Sequence, residues 1–142
     1  MALEKFKNSL ASIKDEKDKQ VFDPNVIINN DFLLNFLRVR YLNITKATSL
    51  LLEYFHWRAK NNVDDIYTNF IFKELPKVNL IMPHGLHKVS KGGYPVYFQI
   101  MNQFNANEIL KLTTVDQMIK HYILFCETLE RDVFKVCSHV KG

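Results

Sequence analysis

Apolar residues recur every three or four positions through the first sixty residues, the spacing that gives a helix one buried face. Leu3, Phe6, Leu10 and Ile13 form a narrow stripe in a charged segment, which predicts an exposed helix over residues 2–19. Pro24 and a cluster of asparagines then mark a connection. Asn30 is placed to cap a compact helix over 31–42, whose Leu33, Phe36, Leu37 and Tyr41 are expected to form a strong buried face. Asn43 is placed to cap the next, over 44–62, with Ile44, Ala47, Leu51 and Tyr54 inward and Leu50 and Trp57 alongside. A shorter helix is expected over 64–75, with Asp64 and Asp65 in a solvated first turn and Pro76 closing it.

The pattern changes after that. Leu86–Val89 and Tyr94–Ile100 are two short apolar stretches around Gly92 and Gly93, a hairpin signal, with Pro95 at the start of the second strand. A helical turn follows over 105–112. A long helix begins near Thr114, where Gln117 sits at the third position of a capping box. Val115, Met118, Ile119, Tyr122, Ile123, Cys126, Leu129 and Val133 keep helical spacing, while Leu124 and Phe125 fall off the stripe. A helix apolar on more than one side expects neighbours on more than one side. Few elements remain to supply them, so the sequence is expected to be a piece of something larger. The expected class is mainly α with a short β-hairpin.

Composition narrows the function. The 142 residues are 47% hydrophobic and 24% charged, which fits a folded chain. No apolar run approaches a membrane span, and the charged N-terminus lacks the apolar core of a signal peptide. The net charge of +4 is interleaved with acids, the pattern of solvated helix faces, and no basic stripe points to nucleic acid. It is compatible with weak attraction to anionic lipid. Cys126 and Cys137 stand roughly 16 Å apart along one helix, beyond disulfide reach, and are expected to be reduced packing residues. His84 and His87 offer two imidazoles in a loop without a third ligand, so no metal or other cofactor is expected. The four glycines fit neither phosphate-loop nor dinucleotide spacing. No nucleophile–base or paired-carboxylate arrangement stands out, so no catalytic residue is assigned.

Four motifs occur in one order. They are Asp31-Phe-Leu-Leu-Asn-Phe-Leu-Arg-Val-Arg40, then Asn43-Ile-Thr-Lys-Ala47 with Trp57-Arg58, then His87-Lys-Val-Ser-Lys-Gly-Gly-Tyr-Pro-Val-Tyr97, then Thr113-Thr114-Val-Asp-Gln-Met-Ile-Lys with Glu127. Together, across residues 29–137, they resemble the Sec14-like (CRAL-TRIO) lipid-binding and lipid-transfer family. The resemblance implies a helical N-terminal module over 1–75. Over 76–142 it implies the first part of an α/β lipid-binding domain, cut short before most of its parallel sheet and gating helix.

The resemblance also assigns roles. Arg40 matches an arginine that contacts lipid phosphate in phosphatidylinositol-binding members, and a guanidinium suits that because its planar donors meet two oxygens at once. The following position is usually lysine and is Tyr41 here. Arg38 is expected to bond backbone carbonyls or a nearby acid. Tyr97 matches a strand tyrosine near the phosphocholine head in members that bind phosphatidylcholine. Two other aromatic positions of that site read Leu86 and Cys126, which points away from phosphatidylcholine. Lys88 and Lys91 flank the hairpin turn as solvated residues or as contacts with an anionic bilayer.

The implied function is phospholipid binding and transfer, with phosphatidylinositol as the expected lipid and no covalent chemistry. The implied place is the cytoplasm, at the periphery of membranes, by a chain too short to close its pocket. The competing expectation is a helical interaction module without lipid transfer, which would bind a partner protein or pair as a homodimer through the unsatisfied face of the long helix.

Overall fold

A computed structural model describes residues 1–22, 29–101 and 104–141. It comprises helices α1 (Ala2–Ala11), α2 (Glu16–Val21), α3 (Asn30–Val39), α4 (Ile44–Lys60), α5 (Val63–Asn69) and α6 (Leu75–Ile81). Strands β1 (His84–Val89) and β2 (Pro95–Gln99) follow, then α7 (Ala106–Leu112), α8 (Val115–Thr128), a π-helical turn (Leu129–Val133) and α9 (Phe134–Lys141). The expected class, mainly helical with one hairpin, is what forms. Contacts divide the chain into two compact units, Met1–Asn62 and Val63–Gly142.

In the first unit α1 buries Phe6 and Leu10 against Leu33 and Leu37 of α3 and Ala47 and Leu51 of α4. The helix expected over 2–19 is two. The Ser12 hydroxyl bonds the Ser9 carbonyl, and Asp15 caps a new helix by accepting from the Lys17 N–H. Such side chains compete with helical continuation. The Asp18 carboxylate lies 2.7 Å from His56 Nε2, which ties α2 to α4. Phe22 and Phe55 meet with ring centroids 5.1 Å apart. The connection expected at Pro24 lies outside the described residues. Asn29, rather than Asn30, caps α3 by accepting from the Asp31 N–H at 2.9 Å, whereas Asn43 caps α4 as expected, accepting from the Lys46 N–H at 3.0 Å.

In the second unit, α5 stops at Asn69 and Pro76 lies in the first turn of α6. The expectation that Pro76 closes a helix is therefore corrected. A proline lacks only an N–H that the first turn leaves free in any case, so it starts a helix more readily than it ends one. Phe72, Val78, Met82 and Ile109 form one small core, and Val63, Ile66 and Ile123 another. The strands are antiparallel, with Leu86 opposite Tyr97 and a bulge between Leu86 and Val89. Lys88 sits in that bulge with φ 55°, and Gly93 takes φ 79° in the turn.

Thr114 caps α8 by accepting from the Gln117 N–H. Of the long apolar stripe only Ile123 is buried, and Val115, Ile119, Tyr122 and Cys126 are exposed. The π turn was not legible in the spacing. Arg131 within it bonds Glu127 and Asp64 and lies over the Tyr67 ring, whose hydroxyl donates to Asp132 at 3.0 Å. That network anchors α5 to the end of α8.

Candidate functional site

Arg40 is the C-cap of α3, and the chain leaves it through two successive left-handed residues, Tyr41 (φ 50°) and Leu42 (φ 62°), so Tyr41, expected on the buried face of the helix, lies past its end and is exposed. The Leu42 N–H bonds the Leu37 carbonyl at 2.7 Å and the Tyr41 N–H bonds that of Arg38 at 3.1 Å. These are the two bonds of a Schellman ending, a motif that usually places glycine where Tyr41 stands. The corner sets Arg40 beside the first turns of α4. Two clefts share Arg40 and Lys46: one of about 320 Å³, completed by Thr45, Ser49, Leu50 and Glu53, and one of about 310 Å³, completed by Val39, Tyr41 and Asn43. Among the described residues no carboxylate pairs with Arg40 or Lys46, so both cations are open to an anion. Arg38, expected to bond a carbonyl or an acid, is exposed and makes no side-chain bond among the described residues. Lys46 belongs to one of the four motifs but has no site role assigned from the sequence, and Glu53 belongs to none. Only the corner brings them to Arg40.

Tyr97 lies in the second unit, on β2. Its ring meets Phe125 of α8 at 5.1 Å and His84 of β1 at 6.3 Å, and its hydroxyl donates to Gln99 at 3.4 Å. Burial raises its pKa. Leu86 stands opposite it, and Tyr122, whose pKa is raised chiefly by the neighbouring Cys126 thiol and also by Tyr97, completes the group. Of the three positions that the family resemblance groups, Leu86 and Tyr97 thus face each other across the hairpin, and Tyr122 stands near both Tyr97 and Cys126. Phe125, off the helical stripe, is explained by its contact with Tyr97. Cys126 is exposed and both cysteines are free, so the expectation that Cys126 packs in a core is corrected: its side of α8 faces outward. Lys88 and Lys91 are exposed at the hairpin tip, with no ion pair among the described residues.

One pairing was not foreseen. His84 Nδ1 lies 2.8 Å from the Met82 carbonyl and must carry the proton, because a carbonyl only accepts. Its bare Nε2 then accepts from His121 Nε2–H at 3.3 Å, leaving His121 Nδ1 buried without a partner. His87 instead meets Phe98 edge-on, so His84 and His87 do not act as a pair. Burial, and secondarily electrostatic repulsion between the two neighbouring imidazoles, lower the pKa of His121 below the ordinary 6.5. The unfolded chain therefore takes up this proton first as pH falls. The pair's contribution to stability is full above the unfolded value and is lost as pH drops below about 6.5. In a proton NMR titration the ring C–H of His121 is expected to move with a midpoint under 6.5, and a midpoint at or above that value would contradict the buried neutral pair.

An apolar groove of about 410 Å³ runs between α7 and α8, lined by Phe104, Ile109, Leu110, Met118, Ile119 and Tyr122 among others. Among the described residues, no three His, Cys, Asp or Glu side chains gather as a metal site, and no helix is long and apolar enough to cross a membrane.

The chain is 31% identical over 142 aligned positions to the phosphatidylinositol/phosphatidylcholine transfer protein SFH13 of Arabidopsis thaliana, an alignment that covers 92% of this chain and 23% of that protein. It is 35% identical over 106 positions to SFH7 of the same plant, covering 75% of this chain and 19% of that protein. To the SEC14 cytosolic factor of Eremothecium gossypii it is 34% identical over 104 positions, covering 73% of this chain and 34% of that protein. The chain thus spans about a third or less of the length of these curated relatives. No family model matches it. With the four motifs in order, an identity near a third through most of its length and the helical architecture with its hairpin, the chain is similar through most of its length to Sec14-like phosphatidylinositol/phosphatidylcholine transfer proteins.

Proposed function

We propose that this chain supplies the head-group side of a phosphatidylinositol-binding and -transfer protein. The observation that carries the proposal is Arg40, fixed at the corner between α3 and α4 and open to an anion in a shared cleft. Its relatives are named for phosphatidylinositol and phosphatidylcholine transfer. Phosphatidylinositol is favoured because the positions around Tyr97 read Leu86 and Cys126, and a choline cage needs aromatic faces. Tyr97 lines the head-group end of the hairpin in this reading. Lys88 and Lys91 touch the anionic surface during exchange, so the protein works at the periphery of a cytoplasmic membrane face. No step forms or breaks a covalent bond.

Among the described residues the sheet has two strands, and the α7–α8 groove is open to solvent. Each methylene of an acyl chain left without an apolar wall forfeits about 0.8 kcal/mol. Residues 1–142 are therefore expected to bind vesicles containing phosphatidylinositol in preference to pure phosphatidylcholine, without carrying labelled phosphatidylinositol between vesicles. Efficient transfer would overturn the open pocket, and the absence of any preference would overturn lipid recognition.

The exposed Val115, Ile119 and Tyr122 on α8 favour a second reading, pairing of two copies through this face. Sedimentation separates the two, since a stable dimer indifferent to lipid is the signature of an interaction module.

A further inference from the structure

We infer that Lys46 is the second cation of the head-group cleft and that Glu53 limits what the cleft admits. The ligand is then an inositol phospholipid with a single phosphodiester, in preference to one whose ring carries further phosphates. This rests on the reading of Arg40 as a phosphate ligand and adds two residues that the family motifs do not assign.

The geometry follows from the corner. Leu42 and Tyr41 turn the chain back within a few residues, so Arg40 at the end of α3 and Lys46 in the first turn of α4 become walls of both clefts. Tyr41, where the motif usually has lysine, is 95% exposed in a left-handed conformation and brings no charge. Lys46 restores the count from the opposite wall. Lys46, Ser49 and Glu53 stand three and four residues apart, which puts them on one face of α4. No carboxylate or cation pairs with Lys46 or Glu53 among the described residues.

The chemistry of the walls selects the ligand. A guanidinium can fork two oxygens of a phosphodiester while an ammonium adds a compact point charge. A carboxylate accepts hydrogen bonds only, so Glu53 suits the hydroxyl donors of an unphosphorylated ring and repels a second phosphate. Inorganic phosphate shares the anionic chemistry but has no ring to offer Glu53.

Vesicle cosedimentation with the 142-residue chain tests this, using phosphatidylcholine vesicles doped with phosphatidylinositol, phosphatidylinositol 4-phosphate or phosphatidylserine. Lys46→Ala is expected to weaken binding to the phosphatidylinositol vesicles by about fivefold, the effect of one cation near an anionic surface, with Lys46→Arg retaining it. Binding to phosphatidylserine vesicles is expected to change less. Glu53→Gln is expected to narrow the preference for phosphatidylinositol over its 4-phosphate. In solution, NMR shifts of the cleft residues should respond to glycerophosphoinositol more strongly than to inorganic phosphate. If Arg40→Ala abolishes the preference and Lys46→Ala leaves it intact, the role of Lys46 is overturned while the lipid reading stands. Equal losses on phosphatidylserine vesicles would reduce Lys46 to general surface charge. An unchanged preference in Glu53→Gln overturns the role of Glu53. An equal response to inorganic phosphate overturns the lipid as the source. If the wild-type chain shows no preference for phosphatidylinositol, the lipid reading itself fails.

Discussion

Phe6→Ala is expected to destabilise the first unit by about 3–5 kcal/mol, the usual cost of emptying a core of one phenyl ring. Phe6 is fully buried, packed among Leu10, Leu33, Leu37, Ala47 and Leu51, so α1 is held to α3 and α4 largely through it. A unit of this size has a total stability on the order of 3–9 kcal/mol, so the loss is about a third of it or more. The only tryptophan, Trp57, lies on α4 and reports on this unit by fluorescence during urea unfolding. Val39→Ala, on α3 but exposed, is expected to change stability by no more than about 0.5 kcal/mol. A Phe6→Ala protein whose urea midpoint matches the wild type would mean that α1 is not part of the cooperative core.

Arg40→Ala is expected to weaken binding to phosphatidylinositol vesicles by about 1.5–3 kcal/mol, or about 10- to 150-fold, if its guanidinium makes a charge-assisted bond to phosphate. The side chain has no carboxylate partner to lose among the described residues and is exposed, so the fold is expected to survive and a fall in affinity to be a property of the site. Arg40→Lys keeps the charge but not the fork and is expected to fall between the two. Binding measured at two salt concentrations, with Trp57 fluorescence as the check on folding, decides it. Equal affinity of wild type and Arg40→Ala would remove Arg40 from the site.

How far the chain could be read without coordinates differs from element to element. Asn43 and Thr114 are caps in sequence and in structure, because a cap needs only a short side chain within three residues of the N–H it serves. The hairpin was legible for a similar reason: its turn glycines and alternating strands are local. Ser12 and Asp15 broke a helix that spacing alone carried through, since apolar periodicity is blind to a hydroxyl or a carboxylate competing for the backbone. Pro76 is expected to close the helix over 64–75 but opens a separate helix, α6, because the same residue punctuates a start and a stop. The π turn at Leu129–Val133 is tied down by Arg131, whose partner Asp64 is 67 residues away, a separation that no spacing rule reaches.

By itself the sequence determined the helical class, the hairpin, the resemblance to the Sec14-like family and the candidacy of Arg40 and Tyr97. These follow from local periodicity, capping chemistry and motifs whose members lie a few residues apart. Tertiary structure alone decided that Lys46 and Glu53 share clefts with Arg40, that His84 pairs with His121 instead of His87, and that Phe125 packs against Tyr97. It also decided that most of the apolar stripe of α8 remains exposed. The physical reason is common to all four. Which side chains meet depends on where the chain reverses, and reversals such as the one at Tyr41 and Leu42 are made by backbone conformations that side-chain pattern does not encode.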